Sequence, residues 1–265
     1  MRRFKKPSID GVVLQKKHGQ YFLRDHAITD AMLKAVDLSD AFVFEIGCGD
    51  GFLTKEILKK TVQKLSVFEI DQSWADVVAG QCKDPRLTMH VTDFLQVTRE
   101  DLVASSPSWI VLSNLPYHMT FPILYHLYGM GDVISHGVFM MQEEVAQKIV
   151  KTHGKGYGYI SLFFQYYFDW QLLAKVPPTA FYPEPRVFSR LISFKRKQSV
   201  EPIKKEEDFW KFIKLCFSCP RRTLKNNLIQ THFEYNKVPQ NLLQMRSQQL
   251  SITDFLTLWN DIILE

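Results

Sequence analysis

Between Ala41 and Phe194, short runs of β-branched and aromatic residues alternate with stretches whose apolar positions recur at helical spacing. The strand-like runs are AFVFEIG (41–47), KLSVFEID (64–71), LTMHVTD (87–93), WIVLSNLP (109–116) and HGVFMMQ (136–142). Phe52–Val62, Ser73–Cys82, Phe121–Tyr128 and Glu143–Lys151 read as the helices between them. Strands that are almost wholly apolar need cover on both faces, and helical crossovers supply it. The pattern therefore predicts an α/β fold with a doubly wound, mostly parallel sheet, whose ligands bind beyond the carboxyl ends of the strands. Two later runs, FDWQLLAKV (168–176) and VFSRLISF (187–194), enclose the proline-rich VPPTAFYPEPR. After KRKQSVEPIKKEED the pattern turns helical, with FWKFIKLCF and FLTLWNDIIL as apolar faces. A small all-α C-terminal domain over 199–265 should thus follow an α/β domain over 25–198.

Composition changes little in this picture. The 265 residues, 46% hydrophobic and 23% charged, suit one large globular domain and a small one. They exclude low-complexity disorder, collagen and coiled coil. No apolar run approaches ~18 residues, so no membrane span is expected. The start of the chain (MRRFKKPSIDGVVLQKK) has no apolar signal core, and a cytoplasmic location is expected. Four cysteines do not make a disulfide framework. Cys216 and Cys219 form one CxxC in an apolar helical context, which reads as buried thiols rather than a zinc or redox site. No metal is expected.

Charge changes more. Residues 1–24 carry seven Lys/Arg against one Asp, residues 25–194 carry 14 against 19 acids, and residues 195–265 carry 12 against eight. A basic arm and a basic tail flanking an acidic middle suit a polyanion held from two sides. Solvated termini would give the same partition.

The segment Glu45-Ile46-Gly47-Cys48-Gly49-Asp50-Gly51-Phe52 follows the first strand and opens a helix. Its glycines run G-x-G-x-G. The dinucleotide fingerprint G-x-G-x-x-G fails at Phe52, and the Gly-Lys-Ser/Thr of a triphosphate loop is absent. Without a phosphate cradle, the spacing points to S-adenosyl-L-methionine. Glu69 ends the second strand, where a carboxylate can accept both ribose hydroxyls, and Asp93 ends the third, where it can accept from the adenine amine. Ile70 and Phe94, next to these acids, complete the expected contacts.

At the fourth strand end stands Asn114-Leu115-Pro116-Tyr117. An adenine exocyclic amine is a poor nucleophile because its lone pair is delocalised into the ring. Acceptors on its two N–H groups, from the Asn114 side chain and a main-chain carbonyl, favour a pyramidal nitrogen that can attack a sulfonium methyl. Tyr117 offers a stacking face and Pro116 stiffens the turn. Orientation carries such a reaction, without a strong general base.

At these residues the sequence resembles the rRNA adenine N6,N6-dimethyltransferases, particularly those of the bacterial small subunit. The resemblance runs from about Gln15 to Leu228. It includes KHGQYFL (17–23), EIGCGDGFLT, FEID, NLPY, MQEEV (141–145), KGYGYISLFFQYY, VPPTAFYPEPRV and RRTLKNN (221–227). It implies a Rossmann-like methyltransferase domain, with cofactor contacts at Tyr21, Leu23, Gly47, Gly49, Gly51, Glu69, Asp93 and Asn114. The target adenine would lie between Tyr117 and Phe181; the charge partition, independently, assigns Lys16, Lys17, Arg221, Arg222 and Lys225 to RNA contact. The implied partner is small-subunit rRNA within the pre-ribosomal particle, met by a monomer. Tyr21 stands where the family usually has Asn, so a main-chain contact there survives and a side-chain amide contact does not. Two other readings stay open: a large-subunit rRNA adenine methyltransferase of the macrolide-resistance type, and an assembly factor with secondary activity. RRTLKNN favours the small-subunit branch.

Overall fold

The structure, a computed structural model, describes residues 8–9, 11–13, 21–229, 231 and 233–263. Seven strands form its main sheet: β1 (Phe42–Ile46), β2 (Lys64–Glu69), β3 (Leu87–Val91), β4 (Trp109–Asn114), β5 (Ile134–Gln142), β6 (Phe168–Val176) and β7 (Ser189–Arg196). Their order is β3-β2-β1-β4-β5-β7-β6. The first five are parallel, with Val43 opposite both Leu65 and Ile110. β7 runs antiparallel to β5, from Ser189 opposite Gln142 to Lys195 opposite His136. The expected α/β class holds, and the sequence pattern had not shown which strand reverses.

Burial follows the strand composition. Val43 to Ile46 and Trp109 to Ser113 are buried at the sheet centre, whereas β3 at the edge is half-buried. The chain winds outward from β1 in one direction and from β4 in the other. The crevice between the carboxyl ends of these two strands is therefore where a ligand fits.

Among the helices, α1 (His26–Lys34) precedes the patterned segment that begins at Ala41, and Asp25 caps it by accepting from the Ala27 amide at 2.9 Å. The next helix, α2 (Phe52–Leu58), stops short of the expected Val62. Val62 turns inward and Gln63 N–H already donates to Ala41 C=O as the chain enters β2. α3 (Gln72–Gln81) is capped by Asp71. Further on, α4 (Tyr159–Tyr167) is nearly all apolar and mostly buried, a helix that the alternating pattern did not single out.

The chain divides into two compact units. One comprises the residues up to Ala146 with Gln171–Arg196, and the other comprises Gln147–Trp170 with the residues from Lys197 onward. A single cut near 198 thus leaves out one excursion, through which α4 joins the C-terminal helices. The second unit has its own core of Phe209, Phe212, Ile213, Phe255, Leu258 and Trp259. These lie on α5 (Glu206–Cys216) and α6 (Ile252–Ile263). Asn227 of the RRTLKNN segment is buried, and its amide donates to Cys216 C=O at 2.7 Å. Cys216 is buried and Cys219 half-buried, both as free thiols. No helix among the described residues is long and apolar enough to cross a membrane.

Candidate active site

A cavity of about 350 Å³ opens at the carboxyl ends of β1 to β4. Gly47, Glu69, Asp93 and Asn114, one from each strand end, all line it. Tyr21, Leu23, Gly49, Ile70, Phe94, Leu115, Pro116 and Tyr117 complete the expected residues found in its wall.

The first turn explains the glycines. Gly47 has φ +70°, and a Cβ there would meet nothing within 4 Å, so its backbone faces open cavity that a ligand can approach closely. Gly51 does something else. It opens α2 with φ +79°, and a Cβ would come within 2.9 Å of Val78 Cγ2. It is absent from the cavity wall, so its requirement is helix packing rather than ligand contact.

Glu69 is buried, and both its oxygens are engaged. Oε2 accepts from Gly49 N–H at 3.2 Å and Oε1 from Asp71 N–H at 2.9 Å. Burial raises its pKa above the usual carboxylate value, and the two amide donors work against that rise. The same carboxylate thus anchors the glycine turn and borders the cavity. Asp93 caps the following 3₁₀ turn through Leu95 N–H at 3.0 Å, and its other oxygen has no hydrogen-bond partner among the described residues.

Glu45 also reaches the wall, although the sequence pattern assigns it no role. Its signal is an ionisable residue inside the apolar run FVFEI. Thr54 Oγ1 donates to its Oε2 at 2.6 Å, and burial pushes its pKa up to about 8. A carboxylic acid that is neutral in the fold but ionises near 4.5 when unfolded favours folding most at low pH. That contribution is full below about pH 4.5 and fades as pH climbs towards 8. Glu45→Gln keeps an acceptor for Thr54 and cannot ionise. The variant should therefore gain stability relative to the wild type between pH 5 and 8.5, as read by urea unfolding at the two pH values. A constant difference would show that Glu45 ionises freely in the fold.

Of the four acids that line the cavity, Glu45 is neutral and Asp50 is held by Arg24, which leaves Glu69 and Asp93 as its carboxylates; no Lys or Arg of the described residues lines it. Phosphate ligands find no cationic partner in such a wall. A ligand bearing sulfonium and ammonium charges does find complementary ones, so the residues present fit S-adenosylmethionine.

At the end of β4 the Asn114 amide is oriented by a distant backbone group: Nδ2 donates to Tyr21 C=O at 3.0 Å. Oδ1 is then left as an acceptor with no partner among the described residues. Tyr117 hydrogen-bonds through its hydroxyl to Ser189 Oγ at 2.6 Å, a contact for which the sequence carried no signal. Burial raises the phenol pKa, which keeps the ring neutral. Its ring stacks on Tyr21, with centroids 5.4 Å apart.

Phe181 is not placed opposite Tyr117 in the cavity. It pairs with Leu23 in a short antiparallel ladder, and that register turns its side chain into the core, where it is 3% exposed. Tyr21 instead provides the ring against Tyr117. In the second unit Arg221 and Arg222 are exposed and Lys225 half-buried, and none pairs with an acid among the described residues. Lys16 and Lys17, like Arg2, Arg3, Lys5 and Lys6, lie outside the described residues.

The strand order, the turn at Gly47 and the acidic crevice define a methyltransferase of the doubly wound, Rossmann-like class. Comparison with known proteins narrows this. The family described as ribosomal RNA adenine dimethylase matches residues 12–263. A relative from Francisella tularensis subsp. novicida, named ribosomal RNA small subunit methyltransferase A, is 35% identical over 254 residues, covering 93% of this chain and 96% of its own length. The chain belongs to the ribosomal RNA adenine dimethylase family. Among solved structures, a dimethyladenosine transferase from Plasmodium falciparum aligns with a TM-score of 0.76 at 21% identity, covering 89% of this chain and 95% of its own. The 23S rRNA methyltransferase ErmE aligns at 0.72 and 19% identity, covering 92% and 100%. These two show the shared fold.

Proposed function

We propose that the chain transfers methyl groups from S-adenosylmethionine to the N6 amines of adenines in small-subunit rRNA, acting as a cytoplasmic monomer on the pre-ribosomal particle. One observation carries the chemistry: the Asn114 amide is fixed by Tyr21 C=O, with its oxygen left to accept at the edge of an acidic crevice. Bound there, the cofactor supplies an electrophilic methyl on sulfur. Glu69 and Asp93 would hold its nucleoside. The Pro116 carbonyl is taken by Met119 N–H at 2.9 Å, which leaves the Leu115 carbonyl to join Asn114 Oδ1 on the two amine hydrogens. With both hydrogens so held by Asn114 and Leu115, the nitrogen lone pair would leave the ring plane and face the methyl, the N–C bond forming as the S–C bond breaks and the neutral thioether S-adenosylhomocysteine departs. The amine then sheds one proton to solvent. Tyr117 supports the ring by stacking. The 35% identical relative, by its name, favours the small subunit as substrate.

Tritiated methyl transfer to small-subunit particles, large-subunit particles and protein-free RNA tests the substrate. Label entering adenines of the small subunit is expected, and label confined to the large subunit would overturn the reading. Arg221 and Arg222, exposed and without acidic partners among the described residues, should meet phosphates. Arg221→Ala with Arg222→Ala is expected to weaken particle binding while leaving S-adenosylmethionine affinity unchanged. The slope of log affinity against log salt should fall by about 0.7–0.9 for every phosphate that the variant no longer neutralises. Filter binding across a salt series measures it, and an unchanged slope would leave these arginines structural.

A further inference from the structure

The loop joining Phe181 to β7 carries surface chemistry that the transfer reaction leaves unused. Tyr182, Val187 and Phe188 are 47%, 40% and 45% exposed. These three are close in sequence among the few large apolar side chains left on the surface of the described residues, and they include its two exposed aromatic rings. Singly exposed apolar side chains need no explanation, but two open rings within seven residues do.

Both ends of this loop are tied to the walls of the cavity. Tyr182 pairs with Phe22, the neighbour of Tyr21. Phe188 C=O accepts from Glu143 N–H at 2.9 Å, and Glu143 in turn holds Arg190 through two hydrogen bonds at 2.7 and 2.8 Å. The next residue, Ser189, is buried and bonded to the Tyr117 hydroxyl. The Phe188 ring is therefore mounted one residue from the group that holds the stacking tyrosine. Lys175 places its ammonium 4.4 Å from the centre of the Phe188 ring. Lys175 and Arg186 are exposed and pair with no acid among the described residues. Glu184 is the one acid of the loop.

An adenine drawn out of its stack leaves the neighbouring base without a stacking partner, at a cost of a few kcal/mol. A protein ring that replaces the missing partner offsets that cost, and cations beside it meet the backbone phosphates. The geometry points to a second RNA subsite on this rim: the rings of Phe188 and Tyr182 stack unpaired bases flanking the target adenine, while Lys175 and Arg186 hold the adjoining phosphates. The inference rests on the proposed rRNA substrate and adds the part of that substrate which the rim reads.

The test uses the full chain with small-subunit particles that lack the methyl groups. Phe188→Leu preserves apolar bulk without a stacking ring, Phe188→Tyr preserves the ring, and Lys175→Ala removes the cation. With the scale for stacking one base, Phe188→Leu should raise KM for the particle by about 5- to 150-fold. Its kcat at saturating particle should stay near that of the wild type, and its S-adenosylmethionine affinity should be unchanged, which also reports an intact fold. Phe188→Tyr should restore KM, and Lys175→Ala should raise it while flattening the salt dependence. An unchanged KM in Phe188→Leu would overturn the subsite, as would a change that Phe188→Tyr fails to rescue. So would light scattering in which Phe188→Leu alters oligomeric state and not KM, since the patch would then cover a second copy. Wild-type transfer to particles with unaltered KM in the variants removes the rim alone, whereas no transfer by the wild type removes the substrate assignment and the rim with it.

Discussion

Asn114→Ala should lower methyl transfer by at least about 10²–10³-fold, the scale for deleting one preorganised hydrogen bond that matters in a transition state. The loss should fall on kcat, with particle binding near normal, because in the proposed role the side chain acts on the amine rather than on the RNA backbone. Two groups disappear together in this variant: the free Oδ1 acceptor and the Nδ2 donor that Tyr21 C=O holds at 3.0 Å. Asn114→Asp tells them apart. It retains acceptors but turns an oxygen towards the Tyr21 carbonyl, so the loop carrying Tyr21 loses its tether and activity should be reduced without vanishing. Single-turnover methyl transfer with pre-bound particles is the measurement. Near-normal turnover in Asn114→Ala, with normal particle binding, would remove the residue from the reaction.

Glu69→Ala should weaken S-adenosylmethionine binding by about 1.5–3 kcal/mol, the range for hydrogen bonds to a charged group. That is roughly a 10- to 150-fold rise in Kd by titration calorimetry. The structure adds a second reason for a large effect. Glu69 also accepts from Gly49 and Asp71, so the alanine variant frees the glycine turn as well as the ligand. Glu69→Gln should lie between the two, since its amide nitrogen can donate but not accept. The pH dependence has a definite sign. Burial raises this carboxyl above its ordinary value, and a cationic ligand prefers the ionised form. Affinity should therefore decline as pH falls through that raised pKa, at a higher pH than for an exposed glutamate. An unchanged Kd in Glu69→Ala would remove the ribose assignment.

How much of this was legible in the chain depends on how local each feature is. The strand runs, the glycine turn and the acids at strand ends are written within a few residues of one another, so Gly47, Glu69, Asp93 and Asn114 all stand where the pattern put them. α1 and α4 left no such mark. The first is a short helix capped by Asp25 that precedes the patterned segment, and the second is so apolar and so buried that little polar contrast marks its face. Glu45 was visible as an acid in an apolar strand, but its protonation depends on the burial that the finished sheet imposes.

The sequence by itself determined the α/β class, the crevice at the ends of β1 to β4 and the chemistry of a ligand without phosphate, because these follow from periodicity, turn geometry and side-chain charge. Only the tertiary structure decided how the corner around Asn114 and Tyr117 is held. Asn114 finds Tyr21 across 93 residues, and Tyr117 finds Ser189 across 72. Such partners depend on how distant segments pair, and in a strand a shift of one residue sends a side chain to the opposite face. That is why Phe181, expected beside the target base, lies in the core, while Tyr21, expected to contribute its main chain, sets its ring against Tyr117.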